Sequence, residues 1–193
     1  MRVRNKLLLG VFILLAAAAV AVIGRYCWLR YEYPYGMTHR CSRSLLLSLT
    51  FYADDHGGKY PAGEATPEAS FSLLYREMKE PAEFLAGRAK TKEEVETAKK
   101  ILESGGLLGP DTCDWRYVEG LDDNAPWGVA LFWGKSDLGH VGQRLHGGHE
   151  VAFNGGHIEV IPASRWKEFL AEQERMVAEY LAEKKKDAEK GKP

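Results

Sequence analysis

Four histidines, His140, His146, His149 and His157, lie in the single stretch "GHVGQRLHGGHEVAFNGGH". Imidazole is a good ligand for zinc, copper or nickel. His146 and His149 stand three apart across a Gly-Gly turn, and a hairpin would bring His157 close. Asp137 or Glu150 could complete such a set, which would serve a metal-dependent hydrolase. The stretch matches no zinc signature, however, and turn histidines also serve as hydrogen-bonding or solvated groups. Oxygen donors suit calcium instead. Asp122, Asp123 and Asn124 in "GLDDNAPWG" are the better calcium candidates. "DDHGG", with Asp54 and Asp55, is too short for an EF-hand loop and lacks its distant glutamate. Asp and Asn in such places also cap helices and shape turns. Ser42, Ser44 and Ser48 have no nucleophile elbow around them, and no glycine-rich stretch carries the Lys-Ser/Thr of a phosphate loop. No catalytic residue is therefore assigned, and calcium is the one cofactor left open, beside His146, His149 and His157 as transition-metal candidates.

The elements that would position these residues begin with a membrane segment. Arg2, Arg4 and Lys6 precede an uncharged run from Leu7 to Gly24. A helix over that run rises about 27 Å, close to the hydrocarbon thickness of a bilayer. Arg25 closes it, and Tyr26, Trp28, Tyr31, Tyr33 and Tyr35 follow as an interfacial aromatic cluster. The basic N-terminus favours a cytoplasmic start, and so export of the rest. A cleaved signal peptide, with Ala19-Val20-Ala21 as the small-residue site, is the competing reading. Cys27 lacks the small apolar neighbours of a lipid-attachment site. In an oxidising compartment Cys41 and Cys113 can pair as a disulfide; the alternative is two buried thiols.

The chain has 193 residues, with 26 Lys plus Arg against 27 Asp plus Glu. That is length for one domain beside the anchor, and it offers no basic excess for a nucleic-acid partner. The expected organisation is an anchor over 1–30, a linker over 31–37, an exported domain over 38–162, and a helix with a charged tail over 163–193. Pro34 and Gly36 break the helix leaving the membrane. Periodicity predicts a helix from Thr38 to about Asp54, with Cys41, Leu45, Leu49 and Tyr52 on one stripe and Leu46 beside it. Residues 62–69 read as a loop and Ser70–Met78 as a short helix. Thr91 and Glu94 form a capping box for a helix to Ser104. Strands are predicted at Trp115–Val118, Trp127–Trp133, Glu150–Phe153 and His157–Ile161. Asn154-Gly155 would supply the positive torsions of a hairpin turn. Such a sheet would bury one face on the Thr38–Asp54 helix, with Trp115, Trp127, Trp133 and Trp166 in the core. A C-terminal amphipathic helix from Ser164 carries Trp166, Phe169, Leu170, Val177, Tyr180 and Leu181, then gives way to a frayed polar tail, "EKKKDAEKGKP". The fold class is α+β.

Three stretches together resemble a known family. "CSRSLLLSLTFYADDHGGKYP" (41–61) is similar to the helix and exit loop of pilin-like exported proteins related to type II secretion pseudopilins, often written "YADDNxGxxP". "LLGPDTC" (107–113) falls where many members carry a second Cys. "HGGHEVAFNGGHIEVI" (146–161) resembles their terminal "HxGGxNVLFADGHVEFI" hairpin, with Gly155 where the family has Asp. The "GFTLxE" motif that precedes the apolar helix in pseudopilins is absent from "MRVRNKLLLGVFILL". The resemblance implies a membrane-embedded helix, an antiparallel sheet and a non-enzymatic role in secretion or pilus-like assembly, with envelope proteins as partners. It also implies single-pass placement in the inner membrane with the domain in the periplasm. The rival readings are an anchored hydrolase using His140, His146, His149 and His157, and a module binding envelope polysaccharide through aromatic rings.

Overall fold

The computed structural model of the chain describes residues 2–37 and 42–190, with side chains from residue 8 onward except at 188. Its first element, α1 (Arg2–Glu32), is continuous past Arg25. Within it Leu8–Glu32 forms a 25-residue stretch apolar and long enough to cross a membrane, with none of its most apolar window buried. Leu14 and Val20 are each 71% exposed. An apolar surface bare on all sides requires a non-aqueous cover. The helix stops where Pro34 removes a donor and disfavours helical backbone before it.

Helix α2 (Ser42–Asp55) buries Leu45, Leu46, Leu49, Tyr52 and Ala53, the predicted stripe. Thr38 and Cys41, expected at its start, lie outside the described residues. Its end follows the sequence reading. Gly58, at φ 84°, donates to Ala53 O at 2.8 Å, and a Cβ there would sit 2.4 Å from Asp123 Oδ1. Only glycine fits a left-handed residue so close to the neighbouring loop.

The expected Ser70–Met78 helix is two short ones, α3 (Pro67–Phe71) and α4 (Leu73–Glu77). Part of the expected loop is helical because Thr66 Oγ1 accepts from Ala69 N, with Pro67 preset at the first turn. Ser72 breaks the pair, its hydroxyl bonding Glu68 O. Helix α5 (Ala82–Ala86) was not expected. Helix α6 (Lys92–Glu103) has the predicted capping box, both bonds between Thr91 and Glu94 being present.

Four strands, β1 (Trp115–Tyr117), β2 (Ala130–Gly134), β3 (His149–Phe153) and β4 (Ile158–Ile161), pair antiparallel in the order of sequence. Directly opposed residues share a face. Tyr117, Phe132, Ala152 and Ile158 form one row. That face packs with α2, Phe71 and the fully buried Trp115 into the main core. Arg116, Trp133, Val151 and Glu159 form a row on the opposite face. Helix α7 (Ala163–Lys190) covers part of that face, with Phe169 against Phe153, Val151 and Ile161. The sheet is therefore clad by helices on both sides rather than on one. β3 is buried on both faces for this reason.

Four expectations need correction. The Cys41–Cys113 disulfide is not formed: Cys113 is a free, fully buried thiol donating to Leu85 O at 3.2 Å, while Cys41 lies outside the described residues. Trp127 is not core but 70% exposed, because the turn at Pro126–Gly128 delays β2 to Ala130. The positive torsion of the β3–β4 turn falls on Gly156, at φ 77°. Asn154 is turned inward, accepting from Tyr60 Oη at 2.6 Å and donating to Ala125 O at 2.5 Å. Finally, the polar tail is helical through Lys190, supported by Lys184–Asp122 and Lys190–Asp187 ion pairs.

Candidate interaction surface

Between helix α7 and the second sheet face lies a groove of about 730 Å³ lined in part by β1 and β2. Its floor is Trp133, Val118 and Trp166, and its far wall is Leu170, Val177 and Leu181 of α7. Trp133 meets Trp166 edge-on at 6.0 Å. Trp166 also stacks on His149 at 4.0 Å, and His149 Nδ1 contacts Gly134 O at 3.0 Å. Exposed Arg116 and half-exposed Lys135 give the β1 side positive charge, and Glu174 faces them from α7.

Two buried polar clasps hold this groove in shape. Gln173, 5% exposed, accepts from Ala130 N at 2.8 Å and donates to Gly128 O at 3.1 Å. These are backbone groups freed where the β2–β3 register shifts between Ala130 and Phe132. Lys135 Nζ bonds Glu68 at 2.7 Å and the carbonyls of Pro110 and Cys113. Burial works against ionisation of Glu68, but the Lys135 hydrogen bond, a backbone hydrogen bond and the charges of Lys135 and Arg116 together outweigh it and hold the carboxyl below its usual range.

The residues first considered for chemistry are scattered. Among the described residues no three His, Cys, Asp or Glu side chains gather as a metal site. His149 sits in the groove, while His157 is past the opposite end of β3, stacked on Phe153 at 4.5 Å and near Trp127 at 5.0 Å. His146 lies in the turn at φ 50°, and His140 is exposed in the β2–β3 loop. The hairpin thus separates His149 from His157 instead of joining them, since His149 starts β3 and His157 lies in the turn beyond its other end. Of the calcium candidates, Asp122 takes Lys184 Nζ at 2.6 Å, the Tyr180 hydroxyl, and Asn124 N at 3.0 Å. Asp123 takes the Asn124 amide at 2.8 Å. Asp122 is thus neutralised by the chain's own lysine and fastens α7 to the 120–125 loop.

The serines of α2 serve buried carboxylates. Ser44 donates to Glu80 at 3.0 Å and Ser48 to its other oxygen. Ser42 donates to Glu150, which also pairs with Arg88 at 2.5 Å. Among the described residues these serine hydroxyls are bonded to carboxylates, and His140 lines the small cavity beside Ser42 and Glu150. Sequence reasoning missed Arg88, Glu80, Gln173 and Arg144. Their local sequences carry no signal of this, whereas Glu150 is a lone charge inside the apolar "EVAF". Arg144 donates from its backbone N to Glu32 O at 2.9 Å and from Nε to Tyr31 O at 2.8 Å, with its guanidinium over the Tyr31 ring. It ties the domain to the end of α1.

Comparison with protein-family models, curated proteins and solved structures finds no match. What is defined is a class: a small α+β domain on one N-terminal apolar helix of membrane-spanning length.

Proposed function

We propose that this chain is a membrane-anchored envelope protein with a pilin-like domain, acting by docking to other proteins in a secretion or pilus-like assembly rather than by catalysis. The observation that carries the anchored half is the bare apolar surface of α1 over Leu8–Ile23. The pilin-like half is supported by α2 lying on an antiparallel sheet whose last hairpin is "HEVAFNGGHIEVI". The groove between α7 and β1–β2 is the docking surface, with aromatic anchors of the kind that dominate protein interfaces. Arg2, Arg4 and Lys6 in the first turns of α1 favour a cytoplasmic start, which supports a domain outside the cytoplasm.

Crosslinking in the native membrane from a photoreactive residue at Leu170 or Arg116, followed by identification of the captured chain, tests this reading. Capture of secretion or pilus components is expected. A full-length protein recovered from the cytosol, or an alkaline phosphatase fused at the C-terminus that stays inactive, would overturn it. A second reading, envelope polysaccharide in the same groove, is favoured by the adjacent rings of Trp133 and Trp166. Binding of cell-wall material lost on Trp133→Ala would select it.

A further inference from the structure

We infer that the β2–β3 loop is a second membrane contact, in which Arg144 holds the phosphate of an anionic phospholipid where α1 leaves the bilayer. This rests on the reading of α1 as a membrane span.

The last carbonyls of a helix have no partner within it and form the negative end of its dipole. Arg144 supplies both needs at α1, bonding Tyr31 O and Glu32 O at 2.8 and 2.9 Å. The loop is thereby fixed to the helix end rather than tethered by a linker.

The height of that contact follows from length. The 25 residues of Leu8–Glu32 rise about 37 Å. The hydrocarbon core is about 30 Å thick, and about 40–45 Å with headgroups. With the uncharged run centred in the hydrocarbon, Tyr31 and Glu32 lie about 23–25 Å from the midplane, at the outer edge of the headgroup layer. Tyr26, Trp28 and Tyr31, exposed by 63%, 55% and 59%, suit that level.

Arg144 is bonded there through Nε and its backbone, and among the described residues no carboxylate pairs with it. Its terminal guanidinium nitrogens remain as a fork of donors, the geometry that grips phosphate. The charge around it is complementary to an anionic surface. Asp137 is the only acidic residue of the 135–148 loop, and one of its oxygens is taken by Gly147 N at 2.9 Å. At the end of α1 itself, Glu32 stands against Arg30 and the bonded Arg144.

Hydrogen exchange on the full-length protein tests this, in discs of phosphatidylcholine, in discs containing phosphatidylglycerol, and in dodecyl maltoside micelles with and without inorganic phosphate. Residues 137–148 should exchange about tenfold more slowly in the anionic discs than in micelles. Arg144→Gln should lose that difference while α2 and β3 stay protected. If β3 loosens in the variant, the wild-type comparison of anionic with zwitterionic discs decides. Equal exchange in all lipids and micelles, or equal protection by inorganic phosphate alone, overturns the inference. Co-flotation with vesicles reports α1 separately. A protein that floats but leaves the loop unprotected refutes the lipid contact alone, and one that fails to float refutes the span.

Discussion

Arg88 Nη2 lies 2.5 Å from Glu150 Oε1, with the two side chains only 1% and 8% exposed. The same guanidinium donates to Ser42 Oγ and Leu138 O and lies 5.1 Å from the centre of the Trp115 ring. One arginine thus joins α2, β3, the chain after α5 and the loop that carries Arg144. Breaking a buried pair from one side leaves an uncompensated charge, at a cost of about 3–5 kcal/mol. Arg88→Met and Glu150→Leu should each lower stability by that amount in urea unfolding of the full-length protein in micelles. The double variant should recover most of it. Equal, additive losses would show that the two do not act as a pair.

The Asp122–Lys184–Tyr180 contact makes the seating of α7 sensitive to acid. Burial opposes ionisation of Asp122, but hydrogen bonds from Lys184 and Tyr180 prevail and lower its pKa. Burial, then Asp122, pushes the Tyr180 hydroxyl upward, so it stays a donor. A carboxyl more acidic in the folded state adds stability above its unfolded value, about 3.9, and loses it as pH falls through the folded value. Asp122→Asn should therefore be less stable than wild type at neutral pH and equal to it in strong acid. Thermal melts across that range measure the convergence.

Cys113 should resist alkylation while the protein is folded. Its thiol is fully buried and burial pushes its pKa up to about 12, which leaves almost no reactive thiolate near neutral pH. Exposed Cys27 should react with maleimide in micelles. Peptide mapping after a short pulse should find Cys113 labelled only once denaturant is added.

Gly155 should tolerate no side chain while Trp127 keeps its place. A Cβ there would lie 1.6 Å from Trp127 Nε1. Gly155→Asp should cost about 1–3 kcal/mol by overpacking. In a Trp127→Ala background the cost should fall sharply, because the three atoms nearest that Cβ all belong to the exposed ring. A double-mutant cycle on unfolding free energies reads this directly.

Local pattern made much of this architecture legible. The uncharged run after Arg2, Arg4 and Lys6, the Leu45–Leu49–Tyr52 stripe, the Thr91–Glu94 box and the strand cores at Trp115 and Val151 each depend on neighbours a few residues away. Turn chemistry was read less well. Thr66 and Pro67 start a helix inside an expected loop, and Asn154 gives up its expected torsion because Tyr60 and Ala125 claim its side chain.

The sequence by itself determined the long apolar N-terminal helix, the α+β class and the order of the four strands and the helices α2, α6 and α7, because hydrophobic period and capping act over single turns. Tertiary structure alone decided that α7 clads the second sheet face, that His149 and His157 end up apart, and that Cys113 stays a free thiol. It also decided that Arg88 meets Glu150 and Arg144 meets Tyr31. Those outcomes depend on which distant groups share one low-dielectric space, and spacing along the chain does not encode that.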